Sequence, residues 1–535
     1  MRSRSSFLGG AFILAAAGLF CRLLGAVYRI PLSRLIGDEG MGLFQMAYPI
    51  YSTVLMLSTM GLPVAVSKIV AEKVAKGDRR GAHRTFRLAF GLLAGVGALG
   101  SIGLYLVADE VAAVIAKDVR AYWSLAVISP AIFFVAAMSA FRGYFQGLQN
   151  MMPTALSQVV EQSVRVLTMF IAASILLPRG VEYAAAGATF GAVTGGLAGL
   201  LLLIAIYLRY AGAHPDAVGS AYPSSESRLQ LASRLIRLAI PISLTGIMMP
   251  LIQLTDMLVV PTRLRAAGVV AERATALYGQ LTGMAFPLVN MPTLFTAALA
   301  TSLVPAISEG VALGRASLLS SRVRASLRLT FALAIPASVG LAVLSRDICA
   351  LLYALPEAGT PLLALSPALV FLCLTQTTSG VLHGLGLADL PLKHIAVGVM
   401  VKFALGWWLT ALPALGIAGA AIGTVGGFLV ASTLNLAAVG RRAGGTEALP
   451  TLVFKPLVAA ALMGATVRLC GQWVSTIIRP SGLVTVLCIG AGALVYMSIL
   501  VLVGGVTERD FSLIPVVGNR LAEMLRKLRW GSGRR

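Results

Sequence analysis

The chain has 535 residues, of which 58% are hydrophobic and only 12% charged, with 43 Lys and Arg against 21 Asp and Glu for a formal net charge of +22. Soluble domains carry about 25% charged residues, so this composition cannot cover a water-exposed surface. It excludes a soluble enzyme, a disordered tail protein and a secreted disulfide scaffold. The basic excess is interleaved with apolar runs instead of covering one soluble face, which argues for membrane topology and against nucleic acid as a partner.

A helix needs about 20 mostly apolar residues to cross the hydrocarbon core. In chain order, fourteen runs meet that need: 7–30, 42–67, 86–108, 121–146, 154–177, 183–208, 234–260, 277–305, 326–345, 361–386, 391–412, 415–438, 452–475 and 482–504. They are too long and too continuously apolar for barrel strands, so each is predicted to be a helix. The first run is long enough to span and lacks a convincing small-residue cleavage site, so it reads as a helix and not a removed signal. Five scattered cysteines (Cys21, Cys349, Cys373, Cys470, Cys488) form no C-x-x-C pair, and the four histidines show no ligand spacing; no metal or other cofactor is expected.

The connecting segments set the orientation. With the N-terminus inside, the inner loops collect most of the Lys and Arg: Lys68, Lys73, Lys76, Arg79, Arg80, Arg84 and Arg87 after the second run, Arg315, Arg322, Arg324 and Arg328 after the eighth. This predicts both termini in the cytoplasm. Residues 211–233 read as a cytoplasmic linker and 506–535 as a basic tail. Between 514 and 530, Val517, Leu521, Met524, Leu525 and Leu528 share one helical face opposite Arg520, Glu523, Arg526, Lys527 and Arg529, the pattern of a helix lying on the inner leaflet.

The chain repeats itself at an offset near 240. Met46-Ala47-Tyr48-Pro49-Ile50 recurs as Met284-Ala285-Phe286-Pro287-Leu288, and Arg87-Leu88-Ala89-Phe90 as Arg328-Leu329-Thr330-Phe331. Gly187, Gly191 and Gly195 recur as Gly419, Gly423 and Gly427. The offset pairs runs 1–6 with 7–12. Six is even, so the halves are parallel repeats about an axis along the membrane normal. The expected fold is an all-α polytopic membrane protein of about fourteen transmembrane helices: an N-lobe over 1–210, a C-lobe over 234–440, and two extra helices over 441–505. The duplication favours a transporter working by alternating access. The glycines also suit plain close helix packing, and Pro49 and Pro287 suit plain kinks that free backbone carbonyls.

An ionisable residue inside a span is costly unless paired or wet, so it points to function. The candidates are Arg22 and Arg29 in the first run, Glu161 and Arg165 in the fifth, Asp256 in the seventh and Lys402 in the eleventh. Arg468 lies in the appended pair. Glu161 and Arg165, at i and i+4, are spaced to pair with each other. Setting that couple aside leaves Arg22, Arg29 and Lys402 against Asp256, a positive balance suited to an anionic head group. Arg22 and Arg29 are two turns apart, about 10 Å by helix rise, on one face; snorkelling to the interface is the other reading for Arg29. No P-loop, H-E-x-x-H or G-x-S-x-G motif is present, so no enzyme and no ATP drive are expected. An ion gradient, membrane potential or downhill flow must supply any driving force.

Several stretches resemble the stage V sporulation protein B family: Cys21-Arg22-Leu23-Leu24-Gly25 through Tyr28-Arg29-Ile30-Pro31-Leu32, Ala47-Tyr48-Pro49-Ile50-Tyr51, Gly61-Leu62-Pro63 with Ser67-Lys68, Tyr144-Phe145-Gln146-Gly147 through Pro153-Thr154, and Glu161-Gln162 after Ser157-Gln158. That family belongs to the multidrug/oligosaccharidyl-lipid/polysaccharide flippase superfamily, alongside lipid II flippases. The resemblance implies outward movement of an undecaprenyl-pyrophosphate-linked cell-wall precursor in the plasma membrane of a Gram-positive, spore-forming type of bacterium. The expected partners are that lipid-linked oligosaccharide, membrane lipids and a coupling ion. On this reading Arg22, Arg29 and Lys402 hold the anionic head group, and Glu161, Arg165 and Asp256 form a coupling or conformational charge network. The alternatives are a multidrug/cation antiporter of the same superfamily, or a non-transporting sporulation scaffold, for which the short loops leave little surface.

Overall fold

The computed structural model describes residues 2–59, 61–213, 227–246, 248–477 and 482–504. The described residues form helices and no strands, as hydrocarbon requires of a chain whose backbone polar groups find no water. The main helices are α1 (Arg2–Val27), α2 (Arg29–Thr59), α3 (Leu62–Ala75), α4 (Arg79–Leu106), α5 (Ala121–Gly147), α6 (Met152–Leu176), α7 (Val181–Ala213), α8 (Arg228–Gly246) and α9 (Met248–Ala266). There follow α10 (Ala271–Gly279), α11 (Thr293–Ala312), α12 (Ala316–Val343), α13 (Gly359–Leu365), α14 (Ala368–Gly384), α15 (Asp389–Leu409), α16 (Ile417–Ala443), α17 (Leu449–Ile477) and α18 (Gly482–Leu502).

Among the described residues, eleven helical stretches are long and apolar enough to cross a membrane, or twelve if the pair around residues 366–367, bent by 47°, is one span. All of the fourteen runs but the seventh map onto these. The first two lie in a single 64-residue stretch, Phe12–Ala75, about three times the length one crossing needs. It is broken at Gly37, where φ 70 and ψ −176 suit only glycine, and again at Gly61, φ 63. The seventh run falls on the C-terminal part of α8 and most of α9, with residue 247 outside the described residues; Arg228, Arg234 and Arg237 lie on α8, and Asp256, Arg263 and Arg265 on α9. The amphipathic pattern expected over 514–530 and most of the 211–233 linker lie outside the described residues.

The chain divides into two compact units, Met1–Thr262 with Val269–Gly279, and Arg263–Gly268 with Gln280–Arg535. This contact boundary falls later than the repeat boundary at 234. Leu231, Leu235 and Ala239 of α8 fill the core built by Leu62, Val66 and Ile69 of α3, Phe86 and Leu93 of α4, and Phe141 and Tyr144 of α5. In the second unit α17 and α18 pack on each other and against α12; the Tyr496 hydroxyl of α18 donates to the Ala332 carbonyl at 2.7 Å.

Backbone geometry reproduces the sequence repeat at an offset of 237. The left-handed residues Gly77, Lys117 and Gln149 recur as Gly314, Ala354 and Gly386. A methyl on Gly143 would stand 2.6 Å from the Pro63 carbonyl oxygen, and one on Gly380 would stand 2.7 Å from that of Ala300. Two independent stretches therefore fold onto the same helix contacts. One contact inside the first unit joins repeat-related segments directly. A methyl on Gly42 of α2 would meet the Thr275 carbonyl oxygen at 2.1 Å, and one on Gly279 of α10 would meet that of Asp38 at 2.1 Å. Asp38 pairs with Thr275 and Gly42 with Gly279 at that same offset, so the two contacts exchange roles as across a local two-fold. Pro49 lacks the N–H that would bond the Gln45 carbonyl, and the Tyr278 hydroxyl donates to that carbonyl instead, at 3.4 Å.

Candidate functional site

A charge cluster within spanning helices lies in the first unit, between α5 and α6. Glu161 receives Arg165 Nη2 on Oε1 at 2.5 Å and Arg142 Nη2 on Oε2 at 2.9 Å. The three side chains are 13–18% exposed. Arg142 Nε also donates to Ser157 Oγ at 2.9 Å, and Ser157 Oγ donates onward to the Thr154 carbonyl at 2.8 Å. Two guanidiniums share one carboxylate, so the cluster keeps one net positive charge. Arg165 stands thirteen residues into α6, about 20 Å along the helix by its rise, hence well inside the bilayer.

Local sequence explains the assembly. Gly191 and Gly195 on α7 let α6 approach until a methyl on either would stand within 3 Å of Arg165, 2.5 Å from its carbonyl oxygen and 2.9 Å from its Cβ respectively. Thr168 and Thr194 hydroxyls meet at 2.5 Å beside this contact. On the opposite flank, the Cys21 thiol of α1 donates to the Gln158 carbonyl at 3.4 Å.

The i, i+4 spacing of Glu161 and Arg165 thus becomes a direct ion pair. Arg142 is the member that reading the sequence missed. It sits inside the run 121–146, and an inventory of every ionisable residue in each run would have found it. Arg29 is half buried on α2, whereas Arg22 is exposed on α1; neither makes a side-chain hydrogen bond or ion pair among the described residues. Lys402, 4% exposed, lies in α15 of the second unit. Its stem rests on α16, where a methyl on Gly427 would come within 2.8 Å of its Cβ. Asp256 is half buried in α9. Lys402 and Asp256 both have interaction partners.

A second ionic cluster in the first unit ties the loop at 117–120 to Glu39 of α2 and Thr275 of α10. Asp118 takes Arg120 Nε on Oδ1 at 3.0 Å and Nη2 on Oδ2 at 2.9 Å. The Thr275 hydroxyl donates to the same Oδ2 at 2.7 Å, and Arg120 reaches Glu39 at 2.5 Å. Burial pushes the Asp118 carboxyl up, but the hydrogen bonds from Arg120 and Thr275 outweigh it and hold it below the ordinary carboxylate range.

Long apolar helices that bury a net-positive cluster at mid-span define a polytopic membrane transporter. Comparison with known proteins agrees. A family model described as polysaccharide biosynthesis protein matches residues 7–311. Stage V sporulation protein B of Bacillus subtilis (strain 168) is 33% identical over 526 residues, covering 96% of this chain and 99% of that protein. Lipid II flippase MurJ of the same organism is 29% identical over 490 residues, covering 88% and 89%. Among solved structures, lipid II flippase MurJ in an inward closed conformation superposes with a TM-score of 0.68 at 15% identity, over 91% of this chain and 98% of that one. The chain belongs to the polysaccharide biosynthesis protein family, and its similarity extends to a protein named lipid II flippase.

Proposed function

We propose that this transporter flips an undecaprenyl-pyrophosphate-linked cell-wall precursor, lipid II or a related lipid-linked oligosaccharide, from the inner to the outer leaflet by alternating access. The observation that carries the reading is the excess of guanidinium over carboxylate at mid-span, which suits a diphosphate-bearing head group. Arg22, Arg29 and Lys402 engage that head group, and the Arg142–Glu161–Arg165 cluster with Asp256 forms the conformational charge network. The repeat halves 1–210 and 234–440 act as the two moving lobes, in a bacterial plasma membrane with both termini cytoplasmic.

The lipid tail has a matching surface. A cavity of about 810 Å³ in the second unit is lined by Phe295 and Leu299 of α11, Leu329 and Pro336 of α12, Met463 of α17 and Tyr496 of α18. Its wall is almost wholly apolar, as a polyprenyl chain requires. The names of the relatives, a lipid II flippase and a sporulation protein, support the substrate class. The antiporter reading needs a carboxylate open to a cation, and both oxygens of Glu161 are already held by guanidiniums.

The test is flipping of lipid II in proteoliposomes, read as accessibility of the head group to an added modifying enzyme. Purified protein should accelerate exposure, and Arg22→Ala should abolish it while the protein still inserts. Arg22→Lys should rescue only in part, because an ammonium keeps the charge but loses the two-pronged fork. Recovery of flipping in the Arg22→Ala/Asp256→Ala double variant would make Arg22 a structural counter-ion and sink its role at the head group.

A further inference from the structure

In the second unit, the last turn of α9 and the end of α15 meet through one arginine. Arg263 Nε donates to the Trp407 carbonyl at 2.8 Å, and the guanidinium carbon stands 4.6 Å from the centre of the Trp407 ring. Trp407 in turn stacks on Phe403, one helical turn earlier, with ring centres 5.7 Å apart and planes inclined by 22°. A helix cap explains part of this, because the last carbonyls of a helix lack intrahelical donors and Nε satisfies one of them. The rest of the guanidinium is left over. Nη1 and Nη2 have no hydrogen-bond or ion-pair partner among the described residues, and Arg265, two residues on, forms no ion pair there either. The depth of this clasp follows from α15. That helix opens with an exposed ion pair, Lys393 to Asp389 at 2.8 Å, which belongs among water and head groups. Trp407 lies eighteen residues beyond Asp389, about 27 Å by helix rise, against a hydrocarbon core about 30 Å thick. The clasp therefore stands at the opposite head-group layer. The same end of α15 shows apolar surface: Phe403 is 44% exposed, Trp408 70% and Leu412 49%.

We propose that the free end of the Arg263 guanidinium holds the phosphate of one anionic bilayer lipid, whose acyl chains lie along Phe403, Trp408 and Leu412. The planar fork of arginine binds two phosphate oxygens at once. Here a ring face and a carbonyl already fix the fork, so little side-chain freedom is left to lose on binding. A belt of interfacial aromatics would by itself place Trp407 and Trp408 at this depth, but it requires no cation over the ring. A free phosphate ion offers the same oxygens and gains nothing from the apolar surface, so a lipid is the occupant. On the orientation proposed above the site lies in the outer leaflet; the binding itself depends neither on that orientation nor on what is transported.

The experiment titrates the full chain, in a non-ionic detergent, with phosphatidylglycerol or phosphatidylcholine and counts bound lipids by native mass spectrometry. The first phosphatidylglycerol is expected to bind about fivefold or more tighter than the first phosphatidylcholine. Arg263→Gln should weaken phosphatidylglycerol about five- to tenfold and abolish the preference. Arg263→Lys should weaken it less, since the charge is kept and the fork lost. Trp407→Leu frees the guanidinium without removing its charge and should weaken it about two- to threefold. Lys393→Gln, which removes a cation at the other end of α15, should change it by less than about twofold. Phosphatidylcholine binding should be the same across the set, which a misfolded variant would not give. Displacement of the lipid by millimolar inorganic phosphate would make the occupant a free ion and overturn the lipid assignment. Equal binding of the two lipids, phosphatidylglycerol binding indifferent to Arg263→Gln, or a loss in Lys393→Gln as large as that in Arg263→Gln each overturns the proposal. None of these outcomes decides whether lipid II is flipped, which the proteoliposome assay reads separately.

Discussion

The α6–α7 pair of the first half and the α15–α16 pair of the second are built to one plan and furnished differently. In each, a long cation stands thirteen residues into the first helix, Arg165 in α6 and Lys402 in α15. In each, its backbone and Cβ press on a glycine stripe: Gly191 and Gly195 against Arg165, Gly423 and Gly427 against Lys402. At the offset of 237 the other members part company. Glu161 corresponds to Gly398, Arg142 to Ser379 and Ser157 to His394. The first half joins its three residues through charge. The second makes a network with no carboxylate or guanidinium: His394 Nδ1 meets Asn435 Oδ1 at 2.7 Å, and Asn435 Nδ2 donates to Ser379 at 3.2 Å. The loop cluster shows the same divergence. Lys117 and Ala354 share a left-handed backbone, yet the next residue is ionised Asp118 in one half and Leu355 in the other. Packing that depends on glycines and turns has been kept in both halves, whereas the Arg142–Glu161–Arg165 cluster lies in the first.

The largest contrast that tests this plan is all-or-none. Gly77 and Gly314 are repeat-related turn residues, both left-handed. The proposed arrangement, parallel halves with the basic loops inside, predicts that both face the cytoplasm. Cysteines at either position should resist an impermeant reagent in intact cells; protection of one with ready labelling of the other would break the parallel relation, and labelling of both would reverse the orientation.

Next in size is the charge cluster. Glu161→Ala leaves two guanidiniums facing each other inside the bundle, so stability should fall by about 3–5 kcal/mol, read as thermal unfolding in detergent. Ser379→Ala, at the position equivalent to Arg142, breaks only a neutral hydrogen bond and should cost about 0.5–1.5 kcal/mol. Equal losses at the two sites would remove the claimed difference between the halves.

The glycine stripes should respond alike. Gly191→Ala and Gly423→Ala each push a methyl into the backbone of the neighbouring helix, at 2.5 Å and 2.8 Å, and each should destabilise by about 1–3 kcal/mol. Tolerance of one but not the other would mean that the shared packing is not shared in energy.

The smallest effect concerns pH. The Asp118 carboxyl is held below its ordinary value, so its contribution is fully present above the unfolded-state pKa of about 3.9 and is lost as pH falls through the folded value. Asp118→Asn should remove this part of the acid-side slope in unfolding measurements below about pH 4. Leu355→Asn should leave that slope unchanged. An acid limb identical in wild type and Asp118→Asn would show that the buried carboxylate contributes nothing to it.

Composition and periodicity by themselves determined the membrane class, the helical fold, the runs of spanning length and the duplication, because each rests on properties of contiguous residues: apolar length, turn glycines and a recurring pattern. The Glu161–Arg165 pair was legible for the same reason, being one helical turn apart. The break at Gly37 was not, since hydropathy averages over a bend. Nor were the partners that complete the sites. Arg142 reaches Glu161 across 19 residues, and Arg120 reaches Glu39 across 81. A charge in a span announces a cost, but which opposite charge offsets it depends on which helices touch. That was decided by tertiary packing, where glycine stripes bring α7 onto α6 and α16 onto α15 and so fix which side chains face one another.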